Sequence, residues 1–135
     1  MTPMRNTFTL ILFAISLAFL AGCGQTKVAG TVKFSDGEPL TTGTVVFEND
    51  QRTYRAALQS NGTFSMGMLK DGEGIPSGEY RVAVLAKDPA TTEIIEGVAS
   101  DPRLLTHPKY ASSHTSGITY NVQKNMNVEI VVERP

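Results

Sequence analysis

Residues 28–50 read Val28-Ala29-Gly30-Thr31-Val32-Lys33-Phe34-Ser35-Asp36-Gly37-Glu38-Pro39-Leu40-Thr41-Thr42-Gly43-Thr44-Val45-Val46-Phe47-Glu48-Asn49-Asp50. Two runs rich in β-branched and aromatic residues flank a segment of turn formers. Neighbouring side chains of a strand point to opposite faces, so Val32 with Phe34, and Val45 with Phe47, each make one apolar face. Between the runs, Asp36 can bond back to its own backbone, Gly37 permits positive φ and Pro39 removes a ladder donor, which together break a strand and reverse the chain. The stretch predicts two antiparallel strands, each with one face to bury.

The same grammar recurs along the chain. Strand-like runs at 28–34, 43–48, 53–59, 63–66, 79–86, 118–122 and 128–133 are punctuated by Asn49-Asp50, Ser60-Asn61-Gly62 and Pro76-Ser77-Gly78. Alternation places Val32, Phe34, Val45, Phe47, Ala56, Leu58, Phe64, Met66, Tyr80, Val82, Val84, Ile118, Val122, Ile130 and Val132 inward. Almost nothing has helical periodicity. Short strands with one apolar face can bury it only against a second sheet, so the fold class expected is all-β, a seven-stranded two-sheet sandwich over residues 28–135. Tyr80 is expected to be structural, its ring inside and its hydroxyl on a loop carbonyl.

Gly30-Thr31-Val32, Asp36-Gly37-Glu38-Pro39-Leu40, Gly43-Thr44-Val45-Val46-Phe47, Asn61-Gly62-Thr63-Phe64 and Ile75-Pro76-Ser77-Gly78-Glu79-Tyr80-Arg81-Val82 occur in an order and spacing that resembles carboxypeptidase regulatory-like domains of transthyretin-like fold. Together with Pro108-Lys109-Tyr110 and Thr115-Ser116-Gly117-Ile118, they are similar to short lipoproteins of the planctomycete type. The resemblance implies a seven-stranded, prealbumin-like sandwich with an accessory or structural, non-catalytic role. The peptidase activity in that family's name belongs to a separate zinc domain, for which 135 residues leave no room.

Ahead of the sandwich, residues 1–23 read MTPMRNTFTLILFAISLAFLAGC, with Arg5, an apolar run at 8–20 and small residues before the cysteine. This is the anatomy of a secretory signal peptide, and the run is shorter than the ~20 residues of a membrane span. Leu20-Ala21-Gly22-Cys23 matches the bacterial lipobox, in which small residues admit the backbone to the processing enzymes and the cysteine thiol receives a diacylglyceryl group. The expected organisation is a signal peptide at 1–22, a lipidated tether at 23–27 and the sandwich beyond. Cys23 is the chain's single cysteine, so no disulfide can form within it, and acylation would remove an otherwise reactive thiol. Two or three acyl chains, at about 0.8 kcal/mol per buried methylene, hold a protein stably on a membrane. Gly24 rather than Asp after the cysteine points to the outer membrane, facing the periplasm.

Charge excludes other partners. The formal net charge is -1, and removing Arg5 with the leader leaves eleven basic and thirteen acidic residues, a net of -2. Such a chain has no electrostatic footprint for nucleic acid. Its two histidines, His107 and His114, do not match a zinc-ligand spacing, and no Gly-x-Ser-x-Gly elbow or phosphate-cradling loop occurs. No catalytic residue, metal or cofactor is expected, and the chain is read as a non-enzyme. Asn61-Gly62-Thr63 fits a glycosylation sequon but is read as a hairpin turn.

The oddest feature is the connection at 87–117, when most run about four to six residues. Its apolar Ile94-Ile95, Val98, Leu104-Leu105 and Tyr110 suggest that part folds back as a small edge strand or helical turn, leaving the rest exposed. His107, Tyr110 and His114 are its candidate interaction residues, since loops on a rigid scaffold are where binding concentrates. Two function classes stay open: a tethered structural or protein-interaction module of the cell envelope, and a periplasmic module binding carbohydrate or peptide. For the second, Tyr54, Tyr110 and Tyr120 are the aromatic platform candidates, with Tyr120 equally able to face the opposite sheet.

Overall fold

A computed structural model describes residues 25–67 and 72–135. Eleven strands are present among them: β1 (Val28–Phe34), β2 (Thr44–Glu48), β3 (Thr53–Ala57), β4 (Thr63–Ser65), β5 (Gly78–Leu85), β6 (Lys87–Asp88), β7 (Ile94–Ile95), β8 (Val98–Ala99), β9 (Arg103–Leu104), β10 (Ile118–Val122) and β11 (Met126–Val132). The seven predicted strands are β1–β5, β10 and β11, with bounds displaced by two residues or fewer. One sheet runs β11-β1-β4 and the other β10-β5-β2-β3, so the molecule is an all-β sandwich.

Alternation works as a packing rule. In β1 every second residue is buried, and in β3 the buried residues are Tyr54 and Ala56. Phe47, on central strand β2, has no exposed surface and stacks on Tyr120 at a centroid distance of 6.0 Å with 9° between planes. It also meets Tyr80 at 6.1 Å and Phe64, from the other sheet, at 6.4 Å. Tyr80 is buried, and its hydroxyl donates to the Pro76 carbonyl at 2.6 Å, as expected. Leu58 and Ile118, expected inside, pack on the core only partly buried.

One pairing was not foreseen. β1 and β11 lie side by side in parallel, Val28 opposite Met126 through Phe34 opposite Val132. Parallel neighbours need a long crossover, and here everything between the first and last major strands supplies it. The close approach depends on Gly30, because a Cβ there would lie 2.3 Å from the Val128 carbonyl oxygen. The tight turns form where read, Glu38 N donating to Asp36 Oδ1, Thr63 N to Asn61 Oδ1, and Gly37 and Gly62 taking φ of 94° and 82°. They close no hairpin between major strands, because β1 and β2, like β3 and β4, lie in different sheets.

The sandwich has two distinguishable poles. At the entry pole, Thr26 pairs with Ile75, three residues before β5, and Met126 N donates to the Lys27 carbonyl. β1 and β5 both run away from it. At the distal pole, Ser35 N donates to the Val132 carbonyl and His107 N to that of Glu133, while Leu105 N bonds Ala86 just past β5. Residues 87–107 of the connection therefore leave and rejoin the sandwich at the distal pole, a seven-residue strand away from where the chain enters, on the order of 20 Å at about 3.3 Å per residue, while residues 108–117 run back over the outer face of the four-stranded sheet.

Candidate functional site

The 87–117 connection is structured in two parts. Its first part contains the β6–β9 ladder, a 3-10 turn at Pro89–Thr91 and the β7–β8 hairpin. The fold-back is confirmed for Leu105, which packs on the core, but Ile94, Ile95 and Val98 are 76%, 61% and 71% exposed. They belong to the part that stays exposed, their two-residue strands pairing only with each other.

The second part is a 3-10 turn at Pro108–Ala111 continuing to Ser116. It is tied to the sheet by the Ser116 hydroxyl, which donates to the Val82 carbonyl. The three residues singled out here have different surroundings. Tyr110 is 5% exposed and belongs to the core, which corrects its reading as an exposed interaction residue. The cause is local: Pro108 starts a tight turn that directs the ring inward, with Lys109 Nζ 5.0 Å from its centroid. His107 caps that turn, its Nδ1 accepting from Lys109 N at 3.2 Å, and Lys109 reaches Glu133 at 2.9 Å. That ion pair lowers the Glu133 carboxyl and raises the Lys109 ammonium from their ordinary values. His114 is exposed, beside a cleft.

This cleft, about 260 Å³, lies between residues 111–114 and the outer face of the four-stranded sheet, over Val46, Ala83 and Leu85. Period-two geometry brings Thr44, Val46 and Glu48 onto one face, and register sets Arg55 of β3 beside Val46. Glu48 is the polar focus. Its carboxylate accepts from Ser113 Oγ at 3.2 Å and lies 3.8 Å from His114 Nε2 and 3.9 Å from Arg81. Arg81 also pairs with Asp50 at 3.3 Å. Sequence reading missed Glu48, Arg55 and Ser113 because the cleft joins a sheet face to a loop more than sixty positions away. The histidine faces the carboxylate and the serine donates directly to it. The three therefore do not form the serine-to-histidine relay that activates a nucleophile. Among the described residues, no three His, Cys, Asp or Glu come together as a metal group.

The proposed aromatic platform is not assembled. Tyr54 and Tyr110 are buried at 4% and 5% exposure, and Tyr120 is stacked on Phe47, its alternative reading. Leu20, Ala21, Gly22 and Cys23 lie outside the described residues.

Neither a family model nor a curated protein matches the chain. Solved structures show fold-level likeness. A DUF3823 family protein from Bacteroides ovatus aligns at 14% identity and TM-score 0.47, over 82% of this chain and 45% of that one. BcpA, the major pilin subunit of Bacillus cereus, aligns at 15% identity and TM-score 0.48, over 83% and 31%. A 9R-lipoxygenase from Cyanothece aligns at 14% identity and TM-score 0.39, over 78% and 16%. The chain thus spans less than half the length of each of these.

Proposed function

We propose that this chain is a lipoprotein of the cell envelope, anchored through Cys23, whose β-sandwich is a non-catalytic structural or protein-interaction module. The resemblance to carboxypeptidase regulatory-like domains in lipoproteins supports that role. The observation that bears most weight is polarity. Thr26, three positions after Cys23, is pinned at the entry pole, and the first part of the elaboration, residues 87–107, is attached at the other end. A tether this short holds the entry pole against the membrane and presents the elaboration outward. Gly24 supports an outer-membrane destination facing the periplasm.

Mass spectrometry of the mature amino terminus together with membrane fractionation tests the anchor. An acylated Cys23 in the outer-membrane fraction, and release of Cys23→Ser from membranes, is the expected result. An unmodified cysteine, or residues retained before it, would overturn it.

The cleft favours one second reading, a small periplasmic ligand. With Glu48 and Arg55 over an apolar floor, it suits a peptide bearing both charges better than a sugar needing an aromatic platform. A thermal-shift screen of short peptides, with Glu48→Gln as control, addresses it.

A further inference from the structure

The β7–β8 hairpin is a formed ribbon whose exposed face is apolar on both sides. Ile95 sits opposite Val98 and Ile94 opposite Ala99. Adjacent strand residues point to opposite faces, so Ile95 and Val98 share one side of the ribbon, and Ile94 and Ala99 the other. The base is fixed by Ser100 N donating to the Glu93 carbonyl at 2.7 Å and Glu93 N donating to Ser100 Oγ at 2.8 Å. Apolar side chains held in the open on a closed ribbon cost hydration free energy and mark a contact surface. A flat partner would cover only one side.

Charge narrows the partner. The segment 89–102 carries Glu93, Glu96 and Asp101 with no Lys or Arg. Asp101 is paired with Lys87, whereas neither Glu93 nor Glu96 makes an ion pair with a described residue. Glu96 and Gly97 form the tip at φ of 53° and 80°, a turn in which Asn or Asp ordinarily takes the first position. A glutamate there is backbone-strained, and it puts an unpaired carboxylate at the leading end of an apolar ribbon. These acids disfavour an anionic lipid surface, and they would repel the same tip on a second copy.

We propose that the β7–β8 hairpin is a plug that seats in a two-walled apolar slot of a folded protein partner whose rim carries Lys or Arg. This rests on the reading of the chain as a tethered interaction module, whose lipid is at the opposite pole.

The test uses the full chain in its own membranes, with a benzophenone amino acid replacing Val98 in one strain and His114 in another. Val98 should give one heteroadduct with a protein whose crosslinked peptide lies in an apolar, Lys- or Arg-rimmed site. Ile94→Ser should lower its yield by about tenfold, the order expected for losing a buried aliphatic side chain. Glu96→Asn is decisive because it suits the turn, so the hairpin stays formed, and it removes the charge at the tip. It should lower the yield and weaken the fall seen when salt rises from about 0.1 M to about 0.5 M. An adduct of two copies, partition of the Cys23→Ser protein onto phosphatidylglycerol vesicles through Ile94, or a yield indifferent to Glu96→Asn would overturn the plug. Adducts from His114 but not Val98 would remove the plug and leave the module reading standing. Adducts from neither would overturn both.

Discussion

Phe47→Ala is the substitution on which the packing argument is most exposed. The ring lies on central strand β2 with no exposed surface, between Tyr120 and Tyr80 of its own sheet and Phe64 of the other. Removing a buried Phe typically costs about 3–5 kcal/mol, the cavity included. Contact between aromatic rings adds about 0.5–1.5 kcal/mol per pair without summing simply. A value near the upper end, about 5 kcal/mol, is therefore expected, against about 5–15 kcal/mol for a whole domain. Phe34→Ala is the internal comparison. That ring is 6% exposed at the distal pole under the Arg134 guanidinium, 3.9 Å from its centroid, where the edge of the sandwich is open to solvent. It should cost clearly less, nearer about 2–3 kcal/mol, at the lower edge for such truncations. Urea unfolding of the soluble domain from Gln25 onward, followed by far-UV circular dichroism, measures both through the shift in midpoint at constant slope. Equal losses for the two variants, or a loss below about 1.5 kcal/mol for Phe47→Ala, would refute the claim that this ring joins the sheets.

Gly30→Ala should destabilise by more than about 2 kcal/mol, or prevent folding, since the 2.3 Å approach to Val128 cannot relax without parting β1 from β11. The same urea titration checks it. Stability should also fall in acid. Asp36 is held below its ordinary 3.8 by the Glu38 backbone N–H and then by Arg134, and Glu133 is held below 4.5 by Lys109. A lowered folded value gives stability that is complete above the unfolded value and lost as pH falls through the folded one. For Lys109, raised above 10.5 by Glu133, the stabilisation is complete below that value and lost as pH climbs through the folded one. Melting temperature against pH, with Lys109→Met expected to flatten the Lys109–Glu133 contribution at both ends, tests the signs. Replacing residues 93–100 by a Gly-Ser link should leave the free energy of unfolding within about 1 kcal/mol, because loop closure changes by only about 0.6 kcal/mol per doubling of length and the hairpin buries none of the core.

Period two alone was enough for the strands and most of the core, and it reached further than the residues first assigned. Once Ala56 was inward, Tyr54 had to be, and Ile118 with Val122 already placed Tyr120 on the inner side of β10. Leu40 and Ile75 were not accessible this way. Each is fully or nearly fully buried yet comes from a turn, where no period applies. Nor does any local pattern encode that the first and last major strands lie parallel, since this depends on the path of everything between them. The cleft was hidden for the same reason, Glu48 and Ser113 being joined only by tertiary structure. Ile94 and Ile95 mark the opposite limit: hydrophobicity identifies residues that seek burial, but only the length of the hairpin decides whether the core can reach them.

The parallel β1–β11 pair gives the domain a mechanical character. A load drawn on the Thr26 end against a partner at the distal pole acts along β1, which is held laterally by β11 through seven register positions and by β4 through three more. Those ladder bonds lie across the pull and must yield together in shear, where a hairpin pulled at its open end would unzip one bond at a time. Resistance to such a load is a matter of unfolding rate rather than equilibrium stability. The sandwich can therefore serve as a stiff spacer under tension even if its free energy of folding is ordinary, with Gly30, where the two backbones come closest, at the seam that has to slip first.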